Sequence, residues 1–417
     1  MFLVVLLATL LGVAAPALAE GEAVQGVLEK VDDEERTPVE GAVIRVFLGD
    51  EQVGEGTSGP DGSFSIAVPG AETYRVRLDA ESLPSGVGLT DPERDELPNV
   101  RVREGRAKTV RFQLGPGRII EVNWYERVGE LVFLGLKLGA IIALSAVGLS
   151  LIFGVTGLVN FAHGELMTLG AVVTWFFNAT LGWHLVLAAI PGVLVVALFG
   201  GAQERWLWRP LRARRTGNIA MIVVAIGLSL LLRYGFILVP YGGQPQPYQQ
   251  YAVQATVDVF GLSVVPKNLV IIGAALLILT GIGLMLLRTQ LGTAMRAVAD
   301  NVDLARSSGI DVDRVVMATW ILGAGLAGLG GVFFGVSEIV EWEMGFKLLL
   351  LIFSGVVLGG LGTAFGAMLG GFLIGLMVEL STLVLPVEFK NVVALAALVV
   401  MLLFRPQGLL GRKERIG

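Results

Sequence analysis

Asn160, His163 and Glu165 stand close together in GVTGLVNFAHGE, residues 154–165, a polar interruption of an apolar region. An amide, an imidazole and a carboxyl group are costly in hydrocarbon unless they face a protein interior or water. Gly154, Gly157 and Gly164 permit a broken or unwound helix here, of the kind transporters use at their binding sites. The same residues also suit an interhelical turn at the inner face, with Glu165 in the first turn of the next helix. Glu379, deep in an apolar stretch, and Ser381 form a second candidate pair. A lone glutamate there is also satisfied by a backbone or hydroxyl partner.

Other chemistries are excluded by residue type. The chain has no cysteine, which removes disulfides, thiolate metal sites and cysteine nucleophiles, and only two histidines, His163 and His184. It contains no G-x-x-x-x-G-K-[ST] phosphate loop, no H-E-x-x-H metal pair and no G-x-S-x-G nucleophile elbow. No metal site or bound cofactor is expected.

The elements that must position these residues are membrane helices. The 417 residues are 54% hydrophobic and only 16% charged, with a mean hydropathy of +0.73. That is the composition of a polytopic membrane protein. Apolar stretches of span-like length fall near 131–153, 164–182, 184–202, 218–239, 268–287, 315–336, 346–361, 365–385 and 390–404, several of them short or broken by glycine. The fold expected is therefore eight to nine α-helical spans behind an amino-terminal domain of different composition. Small residues four apart, as in Gly331/Gly335, Gly355/Gly359, Gly362/Gly366/Gly370 and Gly371/Gly375, suit close helix packing in lipid.

Ahead of the spans, residues 1–19 read as a signal peptide, with an apolar core over Phe2–Val13 and a small-residue site at Ala17–Ala19. The n-region lacks Lys and Arg, and an uncleaved anchor helix is the alternative. Residues 20–117 are charged and alternating, with strand patterns at Val43–Phe47, Ser63–Val68, Tyr74–Leu78 and Thr109–Phe112 and a turn at Gly59–Gly62. They predict an all-β sandwich of roughly seven strands. The run TSGPDGSFSIAVPG followed by YRVRL resembles the carboxypeptidase-regulatory, prealbumin-like sandwich, a likeness of fold that says little about activity. Its role is open between a docking module and a passive spacer.

Basic residues set the orientation. Arg205, Arg209, Arg212, Arg214 and Arg215, then Arg288, Arg296, Arg306 and Arg314, then Arg405, Arg412, Lys413 and Arg415 mark three segments as cytoplasmic, while the intervening loops carry little positive charge. The sandwich is then extracytoplasmic and the carboxyl terminus cytoplasmic. The loop 288–314 is polar yet punctuated: Asn301 suits the cap of a short helix over Val302–Ser308, Gly309 its stop, and Asp311 the cap of the next span. A short, well-stopped helix between two spans is a docking element or an ordinary ordered loop. A membrane domain that needs energy but has no phosphate loop must borrow an ATPase, which favours docking.

Taken together and in order, SLIFGVTGLVNFAHGELMTLGA, the RPLR segment Arg209–Arg212, TQLGTAMRAVADN…ARSSGIDVDR and the ending FRPQGLLGR resemble the branched-chain amino acid ABC transporter permeases, in particular the smaller permease subunit of the high-affinity leucine–isoleucine–valine type. The likeness covers about 120 to 417 and makes 118–417 the transmembrane domain of an importer. The signal and sandwich depart from the usual member. The resemblance implies a second related permease, two cytoplasmic ATP-binding subunits that carry the ATP and magnesium, an extracytoplasmic substrate-binding protein, and a lipid surround in a prokaryotic inner membrane; nucleic acid is not an expected partner. It implies that this chain is a transport subunit and not itself an enzyme. It assigns Arg296, Ala297, Asp300, Asn301, Ala305, Gly309 and Ile310 to coupling with the ATPase, and Asn160, His163 and Glu165 to the translocation pathway, to which Glu379 is added as a charge deep in an apolar stretch. Related permeases for urea and short amides share the pattern, so urea or amide import is the alternative substrate class. A stand-alone secondary transporter is the alternative mechanism.

Overall fold

The computed structural model describes residues 22–32, 35–49, 51–90, 95–102, 105, 107–116, 124–238, 243–251, 254, 256–259 and 262–411. The signal segment 1–19 and the basic residues Arg412, Lys413 and Arg415 lie outside the described residues. The chain divides into two compact units, Met1–Glu121 and Val122–Gly417.

The first unit is built of short strands: β1 (Ala23–Val27), β2 (Glu29–Asp32), β3 (Glu35–Pro38), β4 (Val43–Leu48), β5 (Glu51–Thr57), β6 (Ser63–Ala67), β7 (Thr73–Leu78), β8 (Val87–Leu89), β9 (Glu96–Arg101), β10 (Lys108–Val110) and β11 (Leu114–Pro116). They form three sheets, ordered β10-β1-β6, β3-β2-β11-β8 and β5-β4-β7-β9. Alternation creates the core: Ile44 and Val46 of β4, Phe64 and Ile66 of β6, and Tyr74, Val76 and Leu78 of β7 all point into one apolar cluster. Eleven strands are seen among the described residues of this unit where roughly seven were expected. At the expected turn Gly62 takes φ +73°, and the Asp61 carboxylate accepts from the Ser63 amide at 3.1 Å.

The second unit is helical: α1 (Trp124–Thr156), α2 (His163–Trp175), α3 (Leu185–Gln203), α4 (Arg209–Ala213), α5 (Asn218–Ile237), α6 (Pro266–Arg288), α7 (Gln290–Asp300), α8 (Val302–Ser307), α9 (Val312–Ser337), α10 (Met344–Gly359), α11 (Ala364–Leu380) and α12 (Lys390–Phe404). Among the described residues seven helices are long and apolar enough to cross a membrane, α3 running on through a π turn into α4, and α10 is a shorter apolar helix. The remaining stretch expected to span, 164–182, holds α2 and a π turn over Phe176–Thr180 and is not among those seven. A hairpin of β12 (Val257–Val259) and β13 (Leu262–Val264) precedes α6.

Glycine sets the centre of this unit. A Cβ on Gly148 would strike Gly323 of α9, one on Gly370 would strike Gly355 of α10, and one on Gly375 would strike Gly139 of α1. Backbones thus meet where lipid offers no hydrophobic drive and close van der Waals contact must hold the helices.

Candidate functional site

The polar interruption lies between the end of α1 and the start of α2. α1 stops because the Thr156 hydroxyl bonds back to Ile152 O at 2.6 Å and accepts from the Leu158 amide at 3.2 Å, while Gly157 turns the chain at φ +68°. Asn160 then starts α2: its Oδ1 accepts from the Ala162 amide at 3.0 Å and its backbone oxygen from the His163 amide at 3.2 Å. The start of α2 does not remain beside the end of α1. His163 Nε2 lies 2.9 Å from Ser145 O. Ser145 precedes Thr156 by 11 residues (156 − 145), which is about 16 Å along a helix at 1.5 Å per residue.

Two neighbouring contacts agree with that depth. Gly345 N in the first turn of α10 donates to Thr168 Oγ1 at 3.0 Å, and Gly164 packs against Gly345 O. Irregular backbone over 157–162 therefore runs back along α1 from its end to beside Ser145, and α2 begins there. The segment links two helices, with Glu165 in the first turn of α2.

Asn160, His163 and Glu165 are all fully buried. Glu165 Oε1 accepts from Ser229 Oγ at 3.0 Å and from Arg233 Nε at 3.2 Å, both on α5. The Arg233 guanidinium lies 3.6 Å from the centroid of the Phe346 ring on α10, a cation–π contact. Asn160 Nδ2, His163 Nδ1 and Glu165 Oε2 are buried without a hydrogen-bond partner among the described residues. Arg233 and Ser229 were missed by the sequence reading. The available signal was an arginine inside an apolar stretch with a serine four residues before it, on the same helix face.

Glu379 is not joined to this group. It lies in the last turn of α11, where Lys390 Nζ at the start of α12 donates to it at 2.7 Å. Toward the α2 end of the same unit, Tyr248 from the α5–α6 connection is buried and donates to Ala171 O at 3.1 Å, and Gln249 N donates to Asn178 Oδ1 at 2.8 Å. Gln246 bridges Val340 in both directions. Burial pushes the Tyr248 hydroxyl above its ordinary range. Among the described residues no cluster of His, Asp or Glu could hold a metal ion.

The 288–314 loop is a pair of helices. Thr289 caps α7, Asn301 Oδ1 caps α8 by accepting from Leu304 N at 2.9 Å, Gly309 takes φ +83°, and Asp311 Oδ1 accepts from Arg314 N at 3.1 Å to cap α9. α7 was not foreseen; its buried Met295 and Val298, spaced i and i+3, were the available signal. Arg296 donates to Leu286 O and so ties α7 to the last turn of α6. Ala305 is buried and its carbonyl accepts from Ile310 N at 3.1 Å, while Ala297 and Ile310 pack against the helical core. The outward face carries Val302, Asp303, Leu304 and Arg306, and Asp300 is exposed beside it; Leu304 is 65% exposed. The residues named for coupling thus mostly shape this element, and the apolar knob it presents is Leu304.

The family model described as "Branched-chain amino acid transport system / permease component" matches residues 131–402. The High-affinity branched-chain amino acid transport system permease protein LivH of Escherichia coli is 32% identical over 298 residues, covering 68% of this chain and 96% of LivH. Its counterpart BraD of Pseudomonas aeruginosa is 32% identical over 300 residues, covering 67% of this chain and 94% of BraD. The permease protein LivM of Escherichia coli is 25% identical over 289 residues, covering 63% of this chain and 66% of LivM.

Proposed function

We infer a working mechanism from one premise: this chain belongs to the branched-chain amino acid transport system permease family. It is a permease component of a branched-chain amino acid ABC transport system, a multi-pass membrane protein of a family whose members are not catalytic. We propose that it forms half of the membrane pathway beside a second, LivM-like permease, with ATP and magnesium bound on two cytoplasmic ATPases and substrate delivered by an extracytoplasmic binding protein. The basic segments 204–217, 288–314 and 405–417 then face the cytoplasm, and the β-sheet unit, as a spacer or a docking module, faces outside.

The observation that carries this reading is the fastening of α7 and α8 between α6 and α9. Side-chain caps at Thr289, Asn301 and Asp311, with Arg296 on Leu286 O, leave no slack segment between the two long helices. A push on Leu304 is therefore carried as a rigid displacement into α6 and α9. The start of α2, buried beside Ser145 of α1, supplies the polar lining of the pathway, Asn160, His163 and Glu165. The complex of both permeases and both ATPases is reconstituted in liposomes with the binding protein, and leucine uptake and ATP hydrolysis are measured together. Leu304→Asp is expected to leave the complex assembled and to abolish the substrate-stimulated part of hydrolysis. Normal stimulation in that variant sinks the coupling assignment; leucine uptake without ATP sinks the importer.

A further inference from the structure

The seam between α2 and α5 carries more charge than two apolar helices need to adhere. α5 offers a single buried stripe, Met221, Ala225, Ser229, Arg233 and Phe236, whereas Ile219, Val223 and Leu231 on its other faces are exposed. In this unit the stripe meets chiefly α2. Both polar groups of the stripe converge on one oxygen of Glu165, at 3.0 Å from Ser229 and 3.2 Å from Arg233. The other oxygen, Oε2, is buried and has no hydrogen-bond partner among the described residues. The side chains of Glu165 and Arg233 are 0% and 11% exposed. Arg233 reaches the carboxylate through Nε, not through its paired terminal nitrogens, and its guanidinium plane rests on Phe346.

We propose that this seam recognises the zwitterion of an α-amino acid: the substrate carboxylate takes Arg233, the substrate ammonium takes Glu165, and α5 moves off α2 to admit it. The proposal rests on the reading that the start of α2 lines the pathway. Parting Glu165 from Arg233 alone strands two buried charges, which is strongly unfavourable. A zwitterion brings a counter-charge to each, so the exchange keeps every buried charge matched. Oε2 offers the ammonium a second acceptor, and the terminal nitrogens of Arg233 suit a bidentate carboxylate. An amine without a carboxylate, a carboxylate without an amine, and neutral urea each leave at least one buried charge unmatched. The seam is thus built for amino acids and against the amide class. Because α5 is held along one stripe, its separation from α2 breaks that seam together with the ring contacts Arg233–Phe346 and Tyr234–Trp342.

The test uses the complete transporter in liposomes with ATP enclosed and binding protein outside. Leucine uptake is compared for the wild type, Glu165→Gln, Arg233→Gln and the double variant, which restores a neutral hydrogen-bonding pair and strands no charge. At least a tenfold loss in the double variant, with assembly and unstimulated ATP hydrolysis retained, is the expected result. Uptake within twofold of wild type in the double variant overturns the proposal and leaves the pair a structural bond. A second measurement needs no variant: the lumen of wild-type liposomes is preloaded with leucine, leucinamide, 4-methylpentanoate or urea at equal concentration. Only leucine is expected to slow uptake from its product side. Equal slowing by all, or slowing by none, also overturns the proposal. If wild-type liposomes take up leucine only with ATP and these tests fail, the recognition site is wrong and the importer reading stands; if they show no ATP-driven leucine uptake, the importer reading itself has failed.

Discussion

His163 Nε2 and Ser145 O are 2.9 Å apart, and this pair holds the first residue of α2 to α1 well before the end of α1. Both groups are buried, so the contact is made out of reach of water. His163→Ala removes the pin and leaves a void, and stability is expected to fall by about 1–3 kcal/mol. The melting temperature of the purified chain in mild detergent measures it. An unchanged value would show that α2 is placed by glycine packing alone.

Gly164 and Gly345 bring two helix starts into backbone contact. Gly164→Ala forces a Cβ into the Gly345 carbonyl, with an expected cost of about 1–3 kcal/mol from overpacking. Gly227→Ala on α5, with nothing within 4 Å of the added atom, is the control and is expected to be neutral or slightly stabilising. Equal yields and melting temperatures for the two variants would contradict the close approach.

The α8 cap makes a local prediction. Asn301→Ala removes the acceptor for Leu304 N and is expected to cost about 1 kcal/mol, whereas Asn301→Asp keeps it. Hydrogen exchange at the Leu304 amide should quicken in the first variant and not in the second. Substrate-stimulated ATP hydrolysis should follow the same order, if α8 must be rigid to transmit force.

Two ion pairs at the end of α3 differ in burial and should differ in worth. Arg209–Asp313 joins side chains that are both 53% exposed, so Asp313→Asn is expected to cost at most about 1 kcal/mol. Arg212–Glu204 involves a glutamate whose side chain is 2% exposed, and Arg212→Met strands a buried carboxylate at an expected cost of about 3–5 kcal/mol. Thermal melts of both variants decide the ranking.

Tyr248 predicts a pH dependence. Burial raises its hydroxyl pKa in the fold, so the native state holds the proton that the unfolded chain releases near its ordinary value. Stability from this group is fully present below pH about 10 and is lost as pH rises beyond it. Tyr248→Phe should remove that alkaline decline while costing about 1 kcal/mol at neutral pH for the lost bond to Ala171 O. A melt series from pH 7 to about 11 on both proteins checks the sign.

The membrane architecture was legible because its causes are local. Long apolar runs must satisfy their backbone within one helix, so α1, α3, α5, α6, α9, α11 and α12 could be expected from composition alone. The caps at Asn301 and Asp311 and the turn at Gly309 were legible for the same reason: each bonds or bends within a few residues of itself. α7 escaped notice because a short amphipathic helix between basic residues looks like a polar loop.

What only the tertiary structure decided is which distant groups meet. Hydropathy averaged along the chain cannot tell a turn at the membrane face from a half-helix begun at mid-depth, since both need the same glycines and the same polar residues. Where α2 begins against α1 and α10 was settled by Ser145 and Gly345, far from His163 and Gly164 in sequence. The partner of Glu165 was settled by α5, which carries Arg233 to it across 68 residues, whereas Glu379 found Lys390 instead. A buried charge announces in the sequence that it needs a partner; the choice of partner belongs to the packing of helices.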